Sequence, residues 1–94
     1  MKDTYKKTFT EYLASCNFEA LLLDEEFADA IVGIAHQFTK SLPVYDVKKI
    51  LEIMMKKWDV SEEEAYDWYE YNMQGAYVGE NTPLFLERID DIIQ

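Results

Sequence analysis

The residues that most often serve as nucleophile and base in enzymes occur once each in this chain of 94 residues, as Cys16 and His36. A Cys–His pair needs contact between the two side chains, which a sequence alone does not show. Cys16 ends an apolar helical pattern and is interpreted as a buried core residue, and His36 as a partly exposed structural histidine. Glycine-rich phosphate loops and nucleophile-elbow motifs do not occur in the sequence. We therefore expect a protein that binds rather than an enzyme, with no catalytic residue.

Carboxylates are the second possible source of chemistry, because Asp and Glu together number 19. A calcium loop requires alternating acids followed by a turn glycine and a closing glutamate, and a zinc site requires closely spaced His and Cys residues. The sequence contains neither pattern, and its acids are spread along predicted helices. We expect no metal site and no cofactor.

The most informative segment is a predicted helix over residues 62–74, EEEAYDWYEYNMQ. Glu63, Asp67 and Glu70 follow one another at steps of four and three, which places them on one stripe of a helix. Like charges at this spacing destabilise a helix, and carboxylates one turn apart resemble successive phosphates of a nucleic acid. The stripe is interpreted as an anionic ridge, although a solvated face without a function fits the same pattern. The opposite stripe is expected to face the core and contains Ala65, Trp68, Tyr69, Asn72 and Met73.

The segment after this helix contains two of the three glycines, Gly75 and Gly79, on either side of Tyr77. On a structural interpretation, the glycines end the helix and make a tight turn, and Tyr77 packs against the core. On a functional interpretation, the loop presents Tyr77 and Glu80 to a ligand. The residues expected to contact a partner are Glu63, Asp67, Glu70, Glu80, Tyr66, Tyr71 and Tyr77.

The net charge of -10 is distributed unevenly along the chain. Residues 1–57 contain eight lysines and nine acids, and residues 58–94 contain Arg88 and ten acids, so the two parts carry -1 and -9. A field of this sign repels nucleic acids and anionic membranes and attracts basic protein surfaces, although an acidic surface also aids solubility alone. One cysteine and no signal-peptide pattern predict a reducing, cytoplasmic setting.

Helical periodicity dominates the apolar pattern, in a chain with only three glycines and two prolines. Ser61, followed three residues later by Glu64, is a capping box, and Asp46 is placed to cap the preceding helix. We expect one acidic domain over residues 1–94, of the mainly α class, as a compact bundle of four or five short helices. The run Pro83–Leu86 also fits a short extended segment. The predicted helices cover approximately residues 4–16, 24–38, 46–58 and 62–74, with a last helix from residue 82.

A longer motif overlaps the acidic helix and the glycine loop. It comprises Glu63-Glu64-Ala65, Tyr69, Tyr71-Asn72, Gly75-Ala76-Tyr77-Val78-Gly79-Glu80, Thr82-Pro83 and Phe85. This motif resembles a signature of a family of small phage and bacterial proteins, and the resemblance covers about residues 27–86. The resemblance implies neither catalytic residues nor a cofactor.

A phage origin, implied by this resemblance alone, favours inhibition of host machinery. We expect a phage-encoded protein that binds a basic protein or nucleoprotein complex in the host cytoplasm. Such a protein would inhibit a nucleic-acid-binding defence complex, in the manner of an anti-CRISPR protein, by nucleic-acid mimicry. It would bind neither nucleic acid nor membranes directly. The alternative is a non-inhibitory phage protein that self-associates through its aromatic surface, and a homodimer is left open.

Overall fold

A three-stranded mixed sheet, absent from the sequence-based prediction, organises the fold. The computed structural model describes residues 2–76 and 79–93, with side chains from Thr8 onward. The class is therefore a mixture of α and β, and the prediction of a mainly α bundle is wrong. In chain order the elements are α1 (Lys2–Cys16), a 3-10 helix (Glu25–Ala30), β1 (Ile31–Gln37), β2 (Lys40–Asp46), α2 (Val47–Trp58), α3 (Glu62–Tyr69), a π-helical turn (Glu70–Gln74), β3 (Leu84–Leu86) and α4 (Ile89–Ile92).

The strand order is β1-β2-β3, with β1 antiparallel and β3 parallel to the central strand β2. The predicted helix over residues 24–38 is the main error, because helical structure there ends at Ala30 and β1 follows. Ile31, Val32 and Ile34 are β-branched, and such side chains favour strands over helices. The apolar spacing of this segment suits either structure. The predicted break at residues 41–43 lies inside β2.

The β1–β2 hairpin turns on two residues, Phe38 and Thr39, between the paired Gln37 and Lys40. Phe38 has a φ of 56°, and its side chain is 99% exposed. A positive φ at the first of two loop residues is the pattern of a type II′ hairpin turn, in which glycine is usual at that position. An aromatic residue there gives no sequence signal for a turn, which explains why the hairpin was not predicted.

Both capping predictions are confirmed. The side chain of Asp46 accepts a hydrogen bond from the Lys49 amide at the start of α2. At the start of α3, Ser61 Oγ accepts from the Glu64 amide at 3.1 Å, and Glu64 Oε1 accepts from the Ser61 amide at 2.9 Å. The predicted helix over residues 62–74 changes at Glu70 into the π-helical turn, which ends at Gly75.

The core lies between one face of the sheet and helices α2 and α3. Phe85 of β3 packs against Tyr45 and Tyr69, with ring centroids 6.3 and 5.5 Å apart, respectively. The parallel pairing of β3 with β2 therefore brings residues 40 positions apart in the chain into one aromatic cluster. The buried members of the core cluster are Phe27, Ala30, Tyr45, Val47, Ile50, Leu51, Met54, Ala65, Tyr69 and Met73.

Several predicted core positions are exposed instead. Trp68 is 39% exposed and Asn72 lies on the surface, so the predicted inner stripe of the acidic helix is only partly correct. Cys16 is exposed as well, contrary to its interpretation as a core residue. The predicted last helix is replaced by β3 and the short α4, where Ile89 and Ile92 are largely exposed. In the described part of the chain, no helix combines the length and apolarity needed to span a bilayer.

Candidate functional site

An acidic cleft of about 460 Å³ lies between α2, α3 and the segment that follows β3. Five of its nine lining residues are Asp or Glu, and one is a lysine. The acids come from two segments that are distant in the sequence, α3 and residues 87–91. The lining residues are Val47, Lys48, Leu51, Glu62, Glu63, Tyr66, Asp67, Glu87 and Asp91.

The first wall of the cleft is the N-terminal half of α3. The capping box fixes the start of this helix, so that Glu62 and Glu63 occupy its first turn. The positive end of the helix dipole lies in that turn and stabilises the two carboxylates there. Asp67 follows Glu63 by four residues and therefore lies on the same side of the helix. The opposite side of α3 is anchored in the core by Ala65 and Tyr69, each 1% exposed.

The second wall is the segment after β3, and a long-range ion pair holds it in place. Arg88 Nε donates to Asp46 Oδ2 at 2.9 Å, and the Asp46 side chain is only 5% exposed. Lys48 Nζ lies 3.5 Å from Asp91 Oδ1 at the edge of the cleft. These two contacts connect the segment to the first turn of α2 and place Glu87 and Asp91 opposite α3.

The negative charge of the cleft raises the pKa of Tyr66, which lines it, and contributes to the raised pKa of the buried Tyr69. The Glu87 carboxylate raises the pKa of Tyr66, with smaller contributions from burial and from Glu70. Burial, followed by the charge of Glu87, raises the pKa of Tyr69 to about 12. Among the residues that the structure describes, no lysine or arginine forms an ion pair with Glu62, Glu63, Asp67 or Glu87. The cleft therefore has a strong excess of negative charge, and Tyr66 stays a neutral hydrogen-bond donor at physiological pH.

The structure brings together three of the seven predicted contact residues, Glu63, Tyr66 and Asp67. Glu70 does not line the cleft, but it lies near enough to Tyr66 to affect its pKa. Tyr71 is 84% exposed and is not part of the cleft lining.

The two remaining predicted contacts are Glu80 and Tyr77, and only Glu80 is among the described residues. Glu80 lies 3.5 Å from Lys40, near the start of β2. Tyr77 is outside the described residues, so its predicted role is not addressed by the structure. Four charged lining residues were not predicted as site residues: Lys48, Glu62, Glu87 and Asp91. No local sequence pattern connects residues 87–91 with α2 and α3. Arg88 is the only arginine in an otherwise acidic region, and this was the one available signal.

His36, one of the two candidate catalytic residues, lies on β1 and contacts a serine of β2. His36 is exposed, and its Nδ1 lies 2.8 Å from Ser41 Oγ in the neighbouring strand. Within residues 2–76 and 79–93, no three His, Cys, Asp or Glu side chains are grouped to hold a metal ion. The acids that line the cleft are spread along its two walls and do not converge on one point.

Comparisons of the chain with protein-family models, with curated proteins and with solved structures gave no match. The resemblance of the residue 63–85 motif to a phage and bacterial family therefore stays a prediction from sequence.

Proposed function

We propose that this protein binds a basic surface of another protein through the acidic cleft and thereby excludes nucleic acid from that surface. The observation that supports the proposal is that five carboxylates, from α3 and from residues 87–91, line one cleft that contains a single lysine. Basic surfaces that bind nucleic acid carry arginine and lysine side chains, and an acidic cleft competes for those same side chains.

The chemistry of the cleft suits arginine in particular. Val47, Leu51 and the ring of Tyr66 supply apolar surface for the methylene groups of an inserted side chain. The surrounding carboxylates can accept paired hydrogen bonds from a planar guanidinium group. A flat acidic face would attract the same charge but would offer no apolar contact. This combination favours a protein partner over a small inorganic cation.

Inhibition follows if the basic surface is one that must hold nucleic acid to work. The protein then acts as a competitor of that nucleic acid and does not bind it. A phage-encoded inhibitor of a nucleic-acid-binding defence complex in the host cytoplasm fits this mode of action. The phage origin is supported by the sequence resemblance alone, whereas the competition is supported by the negative charge of the cleft.

A pair of charge-matched triple variants tests the role of the cleft. The cleft variant carries Glu63→Gln, Asp67→Asn and Glu87→Gln, which leave the capping box intact. The control variant carries the same change in net charge at three exposed acids outside the cleft, Glu11→Gln, Glu19→Gln and Glu52→Gln.

Calorimetric titration with an arginine-rich peptide measures the difference between these variants. Each exposed contact contributes about 0.2–1 kcal/mol, so the loss of three, about 0.6–3 kcal/mol together, should weaken binding about 3- to 150-fold. The control variant should bind the peptide nearly as tightly as the wild type does, and both variants should have the melting temperature of the wild type. Equal weakening in the two variants would show that only net charge matters and that the cleft is not a site.

The inhibitory part of the proposal needs a natural partner. Proteins captured from bacterial lysate on the wild type, but not on the cleft variant, are identified and purified. Each is then bound to nucleic acid and titrated with the wild-type protein. Release of the nucleic acid supports inhibition by competition, and a stable ternary complex contradicts it.

A further inference from the structure

The edge strand β1 lacks most features by which sheets avoid pairing with other chains. It is seven residues long and contains no charged residue and no proline. In the order β1-β2-β3 it has a neighbour on one side only. The Ile31 amide donates a hydrogen bond to Ala28 O. In the described part of the chain, no other backbone group of β1 forms a hydrogen bond with a residue outside the hairpin. Exposed edges are usually protected by charges, proline or short length, and here only the irregularity between Ile31 and Gly33 interrupts pairing.

We propose that the open edge of β1 pairs antiparallel with β1 of a second copy of this chain, so that two sheets join into one across a two-fold axis. This inference is independent of the proposed function, because the acidic cleft lies beside β3, at the other end of the sheet order.

The absence of charged residues along β1 makes this edge the place where a second copy can bind. Two copies of a chain with net charge -10 repel each other over most of their surface. Residues 30–39 form the longest run without a charged residue in the sequence, so β1 is where two copies can approach with least repulsion.

The sheet also explains why pairing would stop at two copies. The opposite edge is formed by β3, which is only three residues long. Pairing of β1 with β1 uses the same edge of both copies, and such an interface closes after one contact. The exposed Phe38 lies at the tip of the same hairpin, where an antiparallel partner strand would begin.

Gly33 offers a position where the edge can be blocked without disturbing the fold. A Cβ added at Gly33 would meet no atom within 4 Å, and its φ is not positive. A side chain at residue 33 is thus accommodated, and a lysine would put like charges close together across the two-fold axis. Gly33→Thr is the matched control, because threonine adds a side chain that favours strands and carries no charge.

Sedimentation equilibrium from micromolar to millimolar concentration, in the presence of a reductant, tests the proposal. The wild type and Gly33→Thr should approach about 22 kDa, twice the 11.1 kDa of one chain. Gly33→Lys should stay near 11.1 kDa while melting at the wild-type temperature. A monomeric wild type throughout this range, or a dimer unaffected by Gly33→Lys, would overturn the proposal.

The dependence on salt concentration distinguishes this self-association from binding of a partner at the cleft. Added salt screens the repulsion between two acidic copies, so the dimer should become tighter as salt rises. Binding of an arginine-rich peptide at the cleft should weaken over the same range. A dimer that weakens with salt would contradict the uncharged interface, whatever the outcome at the cleft.

Discussion

Arg88 donates a hydrogen bond from Nε to Oδ2 of Asp46, 42 residues earlier in the chain, at 2.9 Å. The other carboxylate oxygen of Asp46 accepts from the Lys49 amide at 3.3 Å and caps α2. One buried carboxylate therefore both starts a helix and holds the segment that carries Glu87 and Asp91. The capping role was visible in the sequence, whereas the pairing with Arg88 was not.

Arg88→Gln should lower the free energy of unfolding by about 1–3 kcal/mol, because it leaves the buried Asp46 carboxylate without its cationic partner. Urea denaturation measures the change. Arg88→Lys keeps the charge and should cause a smaller loss. Asp46→Asn keeps an oxygen that can cap α2 and should be less harmful than Asp46→Ala. If Arg88→Gln unfolds at the wild-type urea concentration, the ion pair does not hold this segment.

Tyr69→Phe should make the protein less sensitive to alkali. The pKa of Tyr69 is raised by burial from 10.0 to about 12 in the folded state. The unfolded chain therefore loses this proton first, and the stabilisation from the neutral phenol is complete below pH 10 and is lost as pH rises toward 12. The urea midpoint of the wild type should fall over this range, and that of Tyr69→Phe should fall less steeply.

The matched control for this prediction is Tyr71→Phe. The side chain of Tyr71 is 84% exposed, so removal of its hydroxyl group should leave the alkaline loss of stability unchanged. Tyr45 also has a raised pKa, mainly from burial, and accounts for part of the remaining sensitivity. Identical alkaline profiles for Tyr69→Phe and the wild type would contradict the assignment.

Phe38→Gly should stabilise the monomer by about 0.5–1 kcal/mol. A residue with a side chain is strained at a positive φ, and glycine relieves that strain, although it also adds entropy to the unfolded chain. The Phe38 ring is 99% exposed, so its removal sacrifices no packing. Thermal melting at low protein concentration measures the change. Phe38→Ala keeps the strain and should bring no gain. Equal melting temperatures for the glycine and alanine variants would argue against strain at this turn.

The elements that the sequence predicted correctly depend on local interactions. The capping box of Ser61 and Glu64 and the cap at Asp46 each join residues three positions apart, so their signals survive in any tertiary context. The hairpin was not predicted because Phe38 is not a residue typical of turns. In addition, the apolar residues of Ile31–Gln37 have spacings that also suit a helix. β3 was foreseen only as an alternative, because it is short and pairs with a strand 40 residues away.

The same distinction applies to the candidate site. Glu63, Tyr66 and Asp67 share one side of one helix, and helical spacing alone places them together. Glu87 and Asp91 join them only because Arg88 reaches Asp46 and Lys48 reaches Asp91, and neither contact has a periodic signature. The wall of the cleft on α3 was therefore open to prediction from the sequence, and the wall formed by residues 87–91 depends on tertiary contacts.

The exposed thiol of Cys16 has a practical consequence. It is the only cysteine in the sequence and lies at the last residue of α1, outside the residues that line the cleft. In an oxidising buffer, two copies can be linked covalently through this side chain, which would mimic a non-covalent dimer on a sizing column. Under reducing conditions, the same thiol provides one defined attachment point for a fluorophore. The natural sequence thus allows labelling at a single position without the removal of any other cysteine.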